Sequence, residues 1–326
     1  MKLLGYVDLP FAAPMAIKIS QDFVAGNGRG FCDNYGMNLD SQAERDTWYN
    51  WSGGEGKKTA RCGYAVISSR AENKVAFVDL QPLFQYYRTM YFTTQANYDQ
   101  TKNQGPADDQ WPYTFTYAAG QTPTVYSTID VTQPTAVAAG LPWCMWLIRN
   151  GNDAMENAYV TTMDGNLLMY KVGDLMTTAS GGSIGAPFNT VAIGKNPSSL
   201  DYGHGCAYGD DLFITCRGDN AVYYLYSDGS TRGVLRDSRI TDAVSACGSG
   251  VGRCFRDACW HAPLLHLMDF TGRKVLNYRF HCGYPDDDSI PVGDPPNPPN
   301  ESTIFEFSGE QSPPGYPFLF VRAEVI

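Results

Sequence analysis

The side chains able to do chemistry are few and unevenly placed. Four histidines, His204, His261, His266 and His281, all fall in the last two-fifths of a chain of 326 residues. Histidines converging from several repeats are common ligands of copper or zinc, and His204, His261 and His281 are candidates for such a site. His261 and His266 are five apart, so on one strand they face opposite ways and do not chelate together. Acidic runs occur at Asp108-Asp109, Asp210-Asp211 and Asp286-Asp287-Asp288. Oxygen-rich loops hold Ca²⁺ when backbone carbonyls converge with them. None fits the D-x-[DN]-x-[DN]-G pattern. Asp210-Asp211 reads as a turn, and Asp286, Asp287 and Asp288 are the candidate calcium ligands. No other cofactor is expected.

The nine cysteines are odd in number, so at least one has no disulfide partner within the chain. No C-x-x-C occurs, which removes the usual zinc-ribbon and thioredoxin readings. Cys254 and Cys259, placed on one strand, would point to opposite faces and make a poor metal pair. The expectation is buried apolar thiols with one or two disulfides. There is no G-x-S-x-G, and the run Cys247 to Gly252 lacks phosphate-loop spacing and reads as a connecting loop.

Aromatic residues carry the remaining signal. Trp48, Trp51 and Trp111 lie in stretches rich in Gly, Asn and Asp, where exposed rings serve as sugar or protein contact surfaces. For Trp143, Trp146 and Trp260, burial between repeats is at least as strong a reading as a contact surface. Trp48, Trp51, Trp111, Asp219, His204 and His261 are therefore the candidate binding residues.

These residues need elements to position them, and residues 200–237 supply the clearest set. Short segments rich in Val, Tyr, Phe, Ile and Thr, at His204–Tyr208, Leu212–Cys216, Ala221–Tyr226 and Thr231–Leu235, alternate with turn residues. Gly, Asn and Asp tolerate positive φ, which hairpin turns require. The reading is a four-stranded antiparallel meander. Its central hairpin recurs with turns at Asn73, Gly120, Gly165 and Gly272, at steps of 45–54 residues. Weaker copies fall at Asn27-Gly28 and near Gln311–Gly315. Seven hairpins at about 47 residues each point to a single all-β domain over 1–326, a β-propeller of seven four-stranded blades. Leu3–Leu9 is the candidate closing strand. Insertions fall near 33–60, 93–112 and 283–303. No long 3.6-residue apolar period appears, so extensive helix is not expected.

The segments AVISSRAENKVAFVDL, AYVTTMDGNLLMYKV and LFITCRGDNAVYYLYSDG resemble the broad seven-bladed propeller superfamily, including the YVTN and NHL-type repeat proteins. The resemblance implies a ring with a central channel, on which enzymes and scaffolds are both found.

Charge and hydropathy narrow the function classes. The net charge is −10 and the densest basic stretch is only Lys57, Lys58 and Arg61, which argues against a nucleic-acid partner. No apolar run is long enough to span a bilayer. Asp8 interrupts the N-terminal apolar stretch, so no signal peptide is read there. The favoured reading is a non-catalytic scaffold that binds other protein subunits or glycan, within an extracellular, surface or virion assembly. The alternative is a propeller hydrolase or lactonase-like enzyme with a metal at the channel mouth. Convergent carboxylates or histidines there would favour the enzyme.

Overall fold

The computed structural model describes residues 1–21, 38–49, 61–140, 157–175, 184–203, 211–255, 258–280 and 305–317. They form four antiparallel four-stranded sheets, each built from strands consecutive in the chain. The first holds β1 (Ala16–Gln21), β2 (Gly63–Ser69), β3 (Lys74–Asp79) and β4 (Thr124–Asp130). The second holds β5 (Pro134–Ala139), β6 (Asn157–Thr162), β7 (Asn166–Lys171) and β8 (Asn189–Ala192). The third holds β9 (Pro197–Gly203), β10 (Asp211–Cys216), β11 (Ala221–Tyr226) and β12 (Thr231–Arg236). The fourth holds β13 (Ala243–Phe255), β14 (Ala258–Asp269), β15 (Lys274–Phe280) and β16 (Phe305–Gln311). A repeated four-stranded meander is the blade of a β-propeller, and the chain is an all-β repeat of that type. Two compact units divide the chain. One comprises Met1–Val131, Ala139–Ala158 and Tyr170–Ala186; the other comprises Thr132–Ala138, Tyr159–Met169 and Pro187–Ile326.

Turn chemistry sets the central hairpin of each sheet. The residue just before the third strand has positive φ in all four: Asn73 (54°), Gly165 (95°), Asn220 (48°) and Arg273 (52°). Three of these are Asn or Gly, the residues that visit the left-handed region most cheaply. A second feature recurs in the second, third and fourth sheets. The carbonyl just ahead of the first strand accepts the N–H just after the second strand. These bonds are Met163 to Gln133 at 3.0 Å, Arg217 to Asn196 at 3.0 Å and Phe270 to Asp242 at 2.9 Å. Each one locks the start of a sheet to its own central hairpin.

The period predicts seven hairpins; four central ones are present among the described residues, at 73, 165, 219 and 272. The turn at Gly120 is not a hairpin. Ala119–Gln121 is a 3₁₀ turn leading into β4, and Tyr113–Tyr117 is not a strand. Phe305–Gln311 is no separate copy, because it pairs with β15 as the outer strand of the fourth sheet. Leu3–Leu9 forms no strand; Val7 and Leu9 pack on the first sheet's core of Phe11, Ala65, Ile67, Ala76 and Val78. The Asn27-Gly28 copy and His204–Tyr208 lie outside the described residues.

Helix was also underestimated. α1 (Gln42–Tyr49) lies in the first expected insertion. α2 (Gln81–Phe92) and α3 (Gln95–Thr101) lie between β3 and β4, so that insertion begins well before residue 93. Pro82 in the first turn of α2 has no N–H to waste there. Thr94 caps α3 by accepting from the Asn97 N–H at 3.2 Å. No helix among the described residues is long and apolar enough to cross a membrane.

The third and fourth sheets share one core. Phe213, Val222, Tyr224 and Leu235 of the third meet Ala243, Ala246, Leu265, Leu267, Leu276 and Tyr278 of the fourth. Phe213 and Tyr224 are register partners, and their rings stack at 4.8 Å. Full burial of each such ring contributes about 1.5–3 kcal/mol. This packing fixes the hairpin ends on which the candidate site is built.

Candidate functional site

The hairpin ends of the third and fourth sheets, with the segment after β16, present two adjacent aromatic rings flanked by two guanidinium groups. Arg217 starts the β10–β11 hairpin, and Phe270, Thr271 and Arg273 belong to the β14–β15 hairpin. Asp242 immediately precedes β13, and Tyr316 follows β16. Arg217 Nε donates to Asp242 Oδ1 at 2.6 Å and Nη2 to Oδ2 at 2.9 Å. The Thr271 hydroxyl donates to Asp242 Oδ2 at 2.7 Å. Arg217 lies 5.9 Å from the centre of the Phe270 ring. Phe270 and Tyr316 are 4.9 Å apart between centroids. Arg273 lies 4.1 Å over the Tyr316 ring and also donates to its hydroxyl. The order across the surface is Arg217, Phe270, Tyr316, Arg273.

Its electrostatics follow from those contacts. The Arg217 bond to Asp242, with help from Thr271, holds the Asp242 carboxyl below its ordinary value. The same bond raises the Arg217 guanidinium further. Beneath them Asp269 is fully buried. Burial alone would raise its carboxyl. The N–H groups of Thr241, Gly272 and Asp242 and the Thr241 hydroxyl outweigh that and hold it low. These bonds run from 2.5 to 3.3 Å. Asp269 thereby ties the approach to β13 onto the β14–β15 hairpin and sets where Asp242 and Thr271 stand. The surface above carries the two arginines, of which Arg217 keeps part of its guanidinium beyond Asp242, and two rings, of which Tyr316 is half exposed. It suits an extended partner with carboxylate or amide oxygens and flat side chains.

The residues singled out from sequence fall elsewhere. Trp48 and Trp111 are buried, at 3% and 2% exposure, so neither presents the exposed ring expected of it. Trp111 is the centre of an aromatic cluster with Tyr86, Tyr87, Tyr91 and Tyr113 at 4.9–6.5 Å, and its Nε1 donates to Tyr91 Oη at 2.7 Å. The insertion between β3 and β4 supplies its own core and draws Trp111 into it. Asp219 lies in the β10–β11 hairpin and accepts from the Lys195 N–H at 3.2 Å, a brace for the lead into β9. Trp51, His204, Asp286, Asp287 and Asp288 lie outside the described residues, and of the His261 side chain nothing is described. His266 Nδ1 meets Asn277 Oδ1 at 2.6 Å across the β14–β15 pair. Among the described residues no three His, Cys, Asp or Glu side chains are grouped to hold a metal ion. Sequence reading missed the Arg217–Phe270–Tyr316–Arg273 run because three separate loops contribute to it.

The chain matches no known family model and no curated protein. Among solved structures it is similar to the β-propeller domain of Myceliophteria thermophila Cps50 (Swd1). The identity is 14% over 46% of this chain and 35% of that one, with a TM-score of 0.30. It is similar to Saccharomyces cerevisiae Sqt1 at 8% identity over 64% and 40%, TM-score 0.36. The WD40 domain of Toxoplasma gondii coronin matches at 9% over 67% and 40%, TM-score 0.37. In each case the match spans less than half of the other chain. The fold assignment therefore rests on the strand order and register above.

Proposed function

We propose that the chain is a non-catalytic β-propeller-type scaffold that binds another protein through the Arg217–Phe270–Tyr316–Arg273 surface. The supporting observation is composition at one place: two arginines flank two adjacent rings on two hairpin ends and the segment after β16, with Tyr316 half exposed. Arg and Tyr are the residue types that dominate protein-binding hot spots, because they supply area and charge at low entropy cost. Rigid support lowers the cost of ordering them on binding. The wider reading, a component of an extracellular, surface or virion assembly with glycan as a second ligand, is supported only by the high Gly, Tyr, Asn and Thr content.

The test is cross-linking mass spectrometry on the full chain in its native sample, compared with an Arg273→Ala/Tyr316→Ala variant. Cross-links from the hairpin ends to one partner protein are expected, and the variant should lose them with its thermal midpoint nearly unchanged. Cross-links that persist in the variant, or that map only to other surfaces, overturn the assignment. Binding to a glycan array by the same variant separates a glycan ligand from a protein one.

A further inference from the structure

The β13–β14 hairpin is longer than its sheet. β13 has 13 residues and β14 has 12, whereas every other strand among the described residues has 4–7. β15 pairs with β14 only from Leu264 to Asp269. Residues 258–263 of β14 therefore have β13 as their one strand partner among the described residues. A two-stranded extension of this kind is marginal in water on its own. Its sequence weakens it further. Gly248, Gly250 and Gly252 alternate along β13, and Gly250 is opposite Pro263. Glycine costs entropy in a strand and proline gives no ladder N–H, so neither fixes the register well.

Cys254 and Cys259 are register partners at the far end of this extension. The sequence alone set them on opposite faces of one strand. The hairpin instead places them on two strands, directly opposite, and so on the same face. Phe255 and Ala258 form the outermost pair, with two residues between them, and Cys254 and Cys259 form the next. In a hairpin of that length the second pair is the non-hydrogen-bonded kind, whose Cα atoms approach to about 4.5 Å. A disulfide accepts Cα separations of about 4.4–6.8 Å.

We propose that Cys254 and Cys259 form a cross-strand disulfide that staples the end of the β13–β14 hairpin. In forming it, one S–S bond joins the two sulfurs. Their two protons and two electrons pass to a low-molecular-weight disulfide such as oxidised glutathione, which leaves as two thiols. The bond sits where the hairpin has no third strand among the described residues.

The chain is cut by trypsin after Arg253, Arg256 and Arg273, which separates the two cysteines into peptides 254–256 and 257–273. The full chain is equilibrated with oxidised glutathione, its thiols are blocked under denaturing conditions, and it is digested without reductant. The two peptides are expected joined in most molecules and released by reduction. Cys254→Ser should leave Cys259 blocked and make no new link. Recovery of both cysteines as blocked thiols, or of either joined to another cysteine or to glutathione, overturns the proposal. Reduction should also speed amide exchange at 251–255 by about tenfold while 264–269 stays protected. Unchanged exchange at 251–255 would overturn the stapling role.

Discussion

Arg217 and Asp242 form a two-pronged ion pair, 2.6 and 2.9 Å long, between residues 25 apart in sequence that belong to neighbouring sheets. The arginine side chain is 42% exposed and the carboxylate 13%. Solvent screening reduces the Coulombic part, and the carboxylate also accepts from Thr271. Asp242→Asn should therefore cost about 1–2 kcal/mol, and Arg217→Ala about 1 kcal/mol. Denaturant unfolding of the two single variants and the double variant measures both. The cycle should give a coupling of about 0.5–1 kcal/mol, because the residues are in direct contact.

Asp269 should be the most sensitive carboxylate in the fourth sheet. It is fully buried and accepts from two residues ahead of β13 and one in its own hairpin. Asp269→Ala leaves those N–H groups without their acceptor, at a cost of about 3 kcal/mol. The pH dependence has a definite sign. The folded-state pKa is lowered, so this stabilisation is present above the unfolded value of about 3.9 and is lost as pH falls through the folded value. Thermal midpoints measured from pH 6 downward should fall more gently for Asp269→Asn than for the unaltered chain. Equal slopes would show that other carboxylates, Asp242 among them, control acid unfolding.

Gly165 sits in a hairpin turn with no room for a side chain. Its φ is 95°, and an added Cβ would stand 2.9 Å from the Ile193 carbonyl oxygen and 3.1 Å from that of Gly194. Both neighbours are backbone, so relief requires the β7–β8 edge to move. Gly165→Ala should cost about 2 kcal/mol from the left-handed backbone and the crowding together. Asn220→Gly, at φ 48°, should be neutral within about 0.5 kcal/mol, since it removes strain but adds unfolded-state entropy. Urea midpoints of the two variants check the contrast.

The same turns explain what could be read from sequence. Asp164-Gly165, Asp219-Asn220 and Asn73 announce their hairpins because few residues accept the required φ. β11 (Ala221–Tyr226) was read to the residue. Gly120 misled because glycine also ends irregular segments, and only the tertiary placement of Tyr113 and Gln121 distinguishes the two. α2 was hidden by its aromatics: Phe84, Tyr86, Tyr87, Tyr91 and Phe92 suit a strand by propensity, and Pro82 at the helix start was the available clue. Trp111 was misjudged because polar neighbours in sequence say little about an insertion that folds its own core. The Arg217–Tyr316 surface has no local signature, since its members are almost 100 residues apart.

Cys216 should behave as a sealed thiol. Burial pushes it up to about 12, and Asp219 nearby adds to the effect. A thiol reagent at pH 8 should leave Cys216 unmodified in the folded chain and label it after unfolding in denaturant. Because its folded-state value is raised, the unfolded chain loses this proton first as pH climbs past about 8.5. Stability should therefore decline through the alkaline range up to about pH 12, and Cys216→Ala should flatten part of that decline. Rapid labelling of Cys216 in the folded chain would contradict its burial.

Trp111 offers the sharpest test of the helical insertion. Its ring is enclosed by Tyr86, Tyr87, Tyr91 and Tyr113, and its one polar atom is used in the 2.7 Å bond to Tyr91. Burial also pushes the Tyr87 phenol up to about 12. Trp111→Phe keeps most of the apolar contact and loses the hydrogen bond, which should cost about 1–2 kcal/mol. Trp111→Ala empties the centre of the cluster and should cost about 3–5 kcal/mol. The damage should be local, because the first sheet has its own core of Phe11, Ala65, Ile67, Ala76 and Val78. Hydrogen exchange should therefore quicken across α2 and α3 in Trp111→Ala while β2 and β3 remain protected. Loss of protection in β2 and β3 as well would mean that the insertion and the sheet unfold as one cooperative body.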